Sequence, residues 1–205
     1  MNVMTDDEVR EFEQKHSWAT GIKSDECGNL YYDSPKASCI TLNYPETPLR
    51  VTYVARLISM LGTGSDEALF KGSLLWVRLW TIGSPPLEKS GWRLVERMRM
   101  GFGELRPLGT ASGHWFRDDE IADLAAFVVP CFVYQWDAYV VPSNAGCFAF
   151  ISHDGFWCVA TRDAEAQRQI LVDLNDLGPR IDESVKARFC RLDALSQGSA
   201  LGPAP

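Results

Sequence analysis

The sequence predicts an α+β fold, with an antiparallel sheet made of a C-terminal three-stranded meander plus a central strand, packed against several helices. Three observations carry this prediction. Runs of helical period come first and a run of strands follows, rather than the one-for-one alternation of a doubly wound α/β chain. Three β-rich segments, 136–141, 147–153 and 156–162, succeed one another with only short connections. Between the last two stands Asp154-Gly155, a strong two-residue hairpin signal.

The elements follow in order. Thr5 is placed to cap a first helix, Glu8 occupies the capping-box position, and Met4 with Val9 can form the hydrophobic staple. The apolar face of that helix is narrow (Val9, Phe12), which predicts a surface location. Residues 18–44 are rich in turn signals, with short β-like runs at 30–32 and 39–42. In "TPLRVTYVARLISMLG", Thr47 can cap, Pro48 suits the first helical position and Gly62 stops the helix. Val51, Val54, Ile58 and Leu61 are expected inward. "LFKGSLLWVRLWTIG" predicts a strand with Leu75, Val77 and Leu79 on one face and Trp76, Arg78 and Trp80 on the other. "LEKSGWRLVERMRMGF" returns to helical period, turning Leu87, Trp92, Val95 and Met98 inward. Asp118 is expected to cap a buried helix that ends or kinks near Pro130, and Asp163 to cap one that buries Ile170, Leu171 and Leu174. Residues 1–178 are expected to form a single domain. A helix over 179–196 (Val185, Phe189, Leu192) and a disordered tail over 197–205 complete the expectation.

Composition narrows the function classes. A formal net charge of −7 argues against a general nucleic-acid binder without naming a partner, since solubility alone explains it and attraction to a basic protein is allowed. The six cysteines include no C-x-x-C pair, and "MNVMTDDEVREFEQ" has neither an apolar core nor a basic flank. Reduced thiols in a cytoplasmic protein are therefore expected. The longest apolar run, "LAAFVVPCFVY", is too short to span a bilayer, so no membrane association is expected. No H-x-H, H-E-x-x-H or paired-cysteine spacing suggests a metal, and no glycine loop suggests a phosphate cofactor, so none is expected.

"FISHDGFWC" sets Ser152, His153 and Asp154 side by side, the residue types of a hydrolytic triad. Neighbours on one strand point to opposite faces, so the three cannot meet as nucleophile, base and orienter. A two-residue turn at Asp154-Gly155 would pair Ile151 with Cys158, giving His153 the same face as Ile151, Ala149, Cys147, Cys158 and Ala160. His153 could still meet a residue from elsewhere. Asp137, an acid at the start of an otherwise apolar strand, is the natural candidate, and Cys158 a second.

Two surfaces are candidates for interaction. Trp76, Arg78 and Trp80 would stack on one strand face with the composition of an interface hot spot, or lie under a covering helix. Lys89, Arg93 and Arg97 recur every four residues on one helix, a basic stripe in an acidic chain, with Glu88 and Glu96 available to neutralise it. The leading expectation is a protein-binding module, of immunity-like or adaptor type and not an enzyme. The alternatives are a small hydrolase or transferase working through His153 and Asp137, and a small-molecule sensor whose pocket is lined by some of the seven tryptophans.

Overall fold

The structure, a computed structural model, describes residues 1–25, 29–32, 34, 36–44, 49–62, 72–78, 86–142 and 146–174, with the side chains of 16–20, 60–62, 86–90 and 173–174 left aside. Its elements run β1 (Asn2–Met4), α1 (Asp6–Thr20), β2 (Ile22–Ser24), β3 (Leu30–Tyr32), β4 (Ser38–Asn43), α2 (Arg50–Gly62), β5 (Ser73–Val77) and α3 (Pro86–Gly101). They continue with β6 (Gly113–Phe116), α4 (Ile121–Tyr134), β7 (Ala138–Pro142), β8 (Cys147–Ile151), β9 (Phe156–Thr161) and α5 (Ala164–Leu174). The fold is α+β, as the sequence predicts. The helix expected over 179–196 and the tail after it lie outside the described residues.

Seven strands form one antiparallel sheet in the order β1-β6-β5-β7-β8-β9-β4, and β2 pairs with β3 in a separate ribbon. The strands are apolar at successive positions because both faces of the sheet are covered. Leu42, Leu75, Val77, Phe116, Val140, Ile151 and Trp157 meet side chains of α2, α3, α4 and α5. Trp76, Tyr139, Phe148, Phe150, Cys158 and Ala160 face the other way, under α1 and the β2–β3 ribbon.

Local signals set the helix starts. The Thr5 amide donates to Glu8 Oε2 at 2.7 Å, and the Glu8 amide to Thr5 Oγ1 at 3.2 Å, closing the capping box. Asp163 Oδ1 accepts from the amides of Glu165 and Ala166 at 3.1 and 3.0 Å. Before α4, Asp118 opens a short 3-10 turn and its side chain caps nothing, whereas Glu120 reaches back to the Arg117 amide at 2.9 Å. Pro130 does not end α4. Phe127, Val128, Cys131 and Phe132 are all buried around it, and that packing offsets the one hydrogen bond proline removes. The helix stops instead at Gln135, left-handed at φ 55°, where the Trp136 amide returns to the Cys131 carbonyl at 2.9 Å.

Two expectations need correcting. Val51 is 59% exposed, because α2 buries the file Tyr53, Val54, Leu57 and Ile58 against the sheet. The β8–β9 register is one residue away from the predicted one: Ile151 pairs with Trp157, and Phe150 with Cys158. The cause is a single dihedral. Gly155 is left-handed at φ 84° while Asp154 keeps a negative φ, so a type I′ turn does not form. The loop takes three residues, with the Ser152 amide donating to the Phe156 carbonyl at 2.9 Å and the Gly155 amide returning to Ser152 at 3.4 Å, the G1-bulge form of hairpin. A one-residue slip changes the face of every β9 side chain relative to β8.

α1 sits close on the sheet because Gly113 has no side chain there. A Cβ at this position would lie 2.3 Å from Val9 Cγ2 and 3.3 Å from Met4 Cβ. Val9 is β-branched and buried, so it has no rotamer into which to retreat. Gly113→Ala is expected to destabilise the protein by about 1–3 kcal/mol in urea denaturation. An unchanged midpoint would mean that α1 does not press on the sheet there.

Candidate functional site

The antiparallel register that pairs Ala138 with Ile151 brings the start of β7 beside the loop after β8. Asp137 stands at that start, held by its main chain, whose carbonyl accepts from the Arg78 amide at 2.7 Å. Its side chain is buried and aimed at the hairpin loop. Asp137 Oδ1 accepts from the His153 amide at 2.8 Å, and His153 Nδ1 lies 2.9 and 3.0 Å from the two carboxylate oxygens. A carboxylate only accepts, so Nδ1 carries the proton of this contact. His153 Nε2 lies on the solvent side, 3.3 Å from Asp154 Oδ1, and the imidazole is 43% exposed. The sequence-derived pair of Asp137 and His153 is thus in direct contact.

The rest of the loop is tied to main chain. Ser152 Oγ accepts from the Asp154 amide at 3.2 Å. The Tyr44 hydroxyl, from the end of β4, donates to the Ser152 carbonyl at 2.6 Å, and the Tyr44 amide donates to the Gly155 carbonyl at 3.0 Å. Burial pushes the Tyr44 hydroxyl well above the ordinary tyrosine range, so it acts as a donor. Its ring packs on Phe132, with the Arg50 guanidinium 5.5 Å from the ring centroid. Tyr44 carries no signal in its own sequence neighbourhood. It reaches the loop only because β4 and β9 pair at the far edge of the sheet. Cys158, in contrast, is separated from His153. The observed register turns it toward the α1 side, where it is fully buried beside Phe148 and Phe150. Burial also raises the Cys131 and Cys147 thiols to about 12, which removes them as nucleophiles.

The strand surface is corrected as well. Trp76 is buried beneath α1, where its indole donates to Asp6 Oδ1 at 2.8 Å and the Ser112 hydroxyl bonds the same oxygen. Arg78 is half-buried and lies back over it, 4.8 Å from the Trp76 ring centroid. This is the covered arrangement, because α1 occupies the face that Trp76 would have presented. Asp6, in the first turn of α1, had no motif to announce it. Trp80 lies outside the described residues, as does the side chain of Lys89.

The helical stripe divides differently. Arg93 and Arg97 are exposed on the outer side of α3 together with Leu94 and Met100; past the helix end Leu105 is exposed too, while the half-exposed Phe102 ring turns to the buried Phe127, 6.0 Å between centroids. Neither arginine forms an ion pair with another described residue. Glu96 forms no ion pair with either; one of its oxygens takes the Trp92 indole N–H at 2.7 Å, and its charge acts on Arg99. Glu104 is bound by Arg106 at 2.7 Å, and that ion pair holds its carboxyl down at about 2.

Among the described residues, no group of three His, Cys, Asp or Glu side chains is placed to hold a metal ion, and no helix is long and apolar enough to cross a membrane. Compared with known proteins, the chain matches no family model, no curated protein and no solved structure.

Asp137→Asn replaces one acceptor oxygen with an amide donor facing His153. It is expected to cost about 1–3 kcal/mol of stability. It should also release the imidazole from its Nδ1–H form, read from long-range nitrogen–proton NMR couplings. A His153 tautomer identical in the variant would show that Asp137 does not fix the ring.

Proposed function

We propose that the protein is a protein-binding module, of adaptor or immunity-like type, and that it binds through the outer face of α3. The observation that carries this reading is the company kept by Arg93 and Arg97. Two exposed apolar side chains of the same helix (Leu94 and Met100) accompany them, without a neutralising carboxylate on that face among the described residues. Single exposed apolar residues are ordinary, whereas apolar side chains interleaved with unpaired arginines on one helix face have the make-up of an interface core. The charge names the partner's chemistry. An arginine face on a chain of net charge −7 favours an acidic, amphipathic segment that brings apolar anchors with carboxylates around them.

A synthetic amphipathic helix with leucines on one face and glutamates on the other is the probe. It is expected to bind the full chain with an affinity that falls as salt rises, and to bind the Arg93→Glu/Arg97→Glu variant at least tenfold more weakly. Equal binding of a lysine-faced peptide, or no loss in the variant, would sink the proposal. Dimerisation abolished by the same substitutions would assign the face to a second copy of the chain and overturn the acidic-partner reading.

The contact between Asp137 and His153 favours a second reading, a hydrolase or transferase in which His153 Nε2 moves a proton. A buried carboxylate on Nδ1 orients the ring and supports the imidazolium that forms when Nε2 accepts. The neighbouring hydroxyls of Ser152 and Tyr44 are committed to the backbone, so the base would act on water or on a group of the substrate. Hydrolysis of 4-nitrophenyl acetate is expected to fall by about 10²–10⁴ in His153→Gln. Equal rates in the two proteins would remove this reading.

A further inference from the structure

Arg99 leaves the last turn of α3 on its inner side, and the residue is only 1% exposed. None of its three side-chain nitrogens has a hydrogen-bond partner among the described residues. His114, fully buried on β6, has no side-chain partner, and its ring is met only by backbone groups of Leu75 and Ser112. Burial first, and then the charge of Arg99, push His114 down to about 3, while hydrogen bonding to the backbone of Leu75 and Ser112 and the charge of Glu104 pull the other way. His114 is therefore neutral in the folded protein and offers one donor and one acceptor. Two carboxylates act on Arg99 through space, Glu104 and Glu96. The first is held by Arg106 and the second by Trp92.

A guanidinium does not shed its proton, so a buried one whose nearby carboxylates make no hydrogen bond to it is poorly compensated and destabilising. Other buried polar atoms also lack side-chain partners, namely the indole nitrogens of Trp136 and Trp157 and the hydroxyls of Thr41 and Tyr139, but these are neutral. Arg99 alone in that set combines full burial with a charge, and that charge is felt by His114.

We infer that Arg99 and His114 form an internal binding site for a small oxyanion, a carboxylate or a phosphate group, between α3, α4 and β6. The fork of the guanidinium matches either anion in a bidentate contact, and the His114 ring lines the site. α4 closes the site with the Phe127 ring, whose centroid lies 5.4 Å from that of His114. An apolar wall of this kind excludes water and strengthens each contact to the anion.

The test uses the full chain dialysed into Tris chloride and titrated separately with sodium phosphate and sodium acetate at constant ionic strength. One of the two salts is expected to raise Tm by about 3–5 °C for each tenfold excess over its Kd, and the salt that does so identifies the anion's chemistry. Arg99→Met keeps the length of the side chain and removes its charge. It is expected to melt no lower than the wild type in the chloride buffer and to lose the response. The imidazole resonances of His114 in the wild type give a readout that needs no variant, and they are expected to shift on addition of the same salt. A Tm indifferent to both salts, an equal response in Arg99→Met, or unmoved His114 resonances would each overturn the assignment.

Discussion

Covering a sheet on both faces leaves polar side chains few places to go, and the positions they take here follow from that. Along β7, β8 and β9 every residue is buried, so charge is pushed to the strand ends. Asp137 lies just before β7 and His153 just after β8, and the meander sets those two ends next to each other. Asp6 lies at the opening of α1, where its carboxylate meets the helix's positive end and collects the Trp76 and Ser112 donors. Each of these acids is buried or half-buried, and each has the donors that make burial tolerable.

His114 breaks the pattern. It stands within β6, paired across to Leu75, on the face filled by Phe116, Phe127 and Leu124. A neutral imidazole can be carried there at moderate cost, but the nearby guanidinium cannot. The asymmetry between unmade hydrogen bonds to neutral and to charged groups separates Arg99 from the orphaned indoles of Trp136 and Trp157. The tryptophans need only packing around their rings, which the stacked Tyr134 and the edge-on Phe132 supply.

What could be read from the sequence divides by range. The capping box at Thr5 and Glu8 and the cap at Asp163 are built from residues within one turn of each other, and they form as expected. The approach of Asp137 to His153 was also accessible, because a short meander brings consecutive strand ends together. The faces of β9 were not, since they hang on whether Asp154 or only Gly155 takes a left-handed dihedral, and Asp-Gly is compatible with both outcomes. The place of Tyr44 depends on β4 crossing to the far edge, and the burial of Trp76 depends on which face α1 chooses. Both are decided by packing between segments far apart in the chain.

The arginines of α3 show why a charge pattern has no meaning before its face is known. Arg93 and Arg97 fall four residues apart and share the solvent side. Arg99, two residues on, is rotated by about 200° and points to the sheet. Read as a string, the three make one basic stripe. On the helix they become two environments with opposite physics. Outside, a guanidinium keeps its hydration and its charge acts mainly on what approaches, so its consequence is the choice of partner. Inside, the charge must be met by another within hydrogen-bond reach, so its consequence is a demand for an anion. One helix thus presents a basic, apolar-flanked face to solvent and an unpaired cation to the interior, and the 3.6-residue repeat alone separates the two roles.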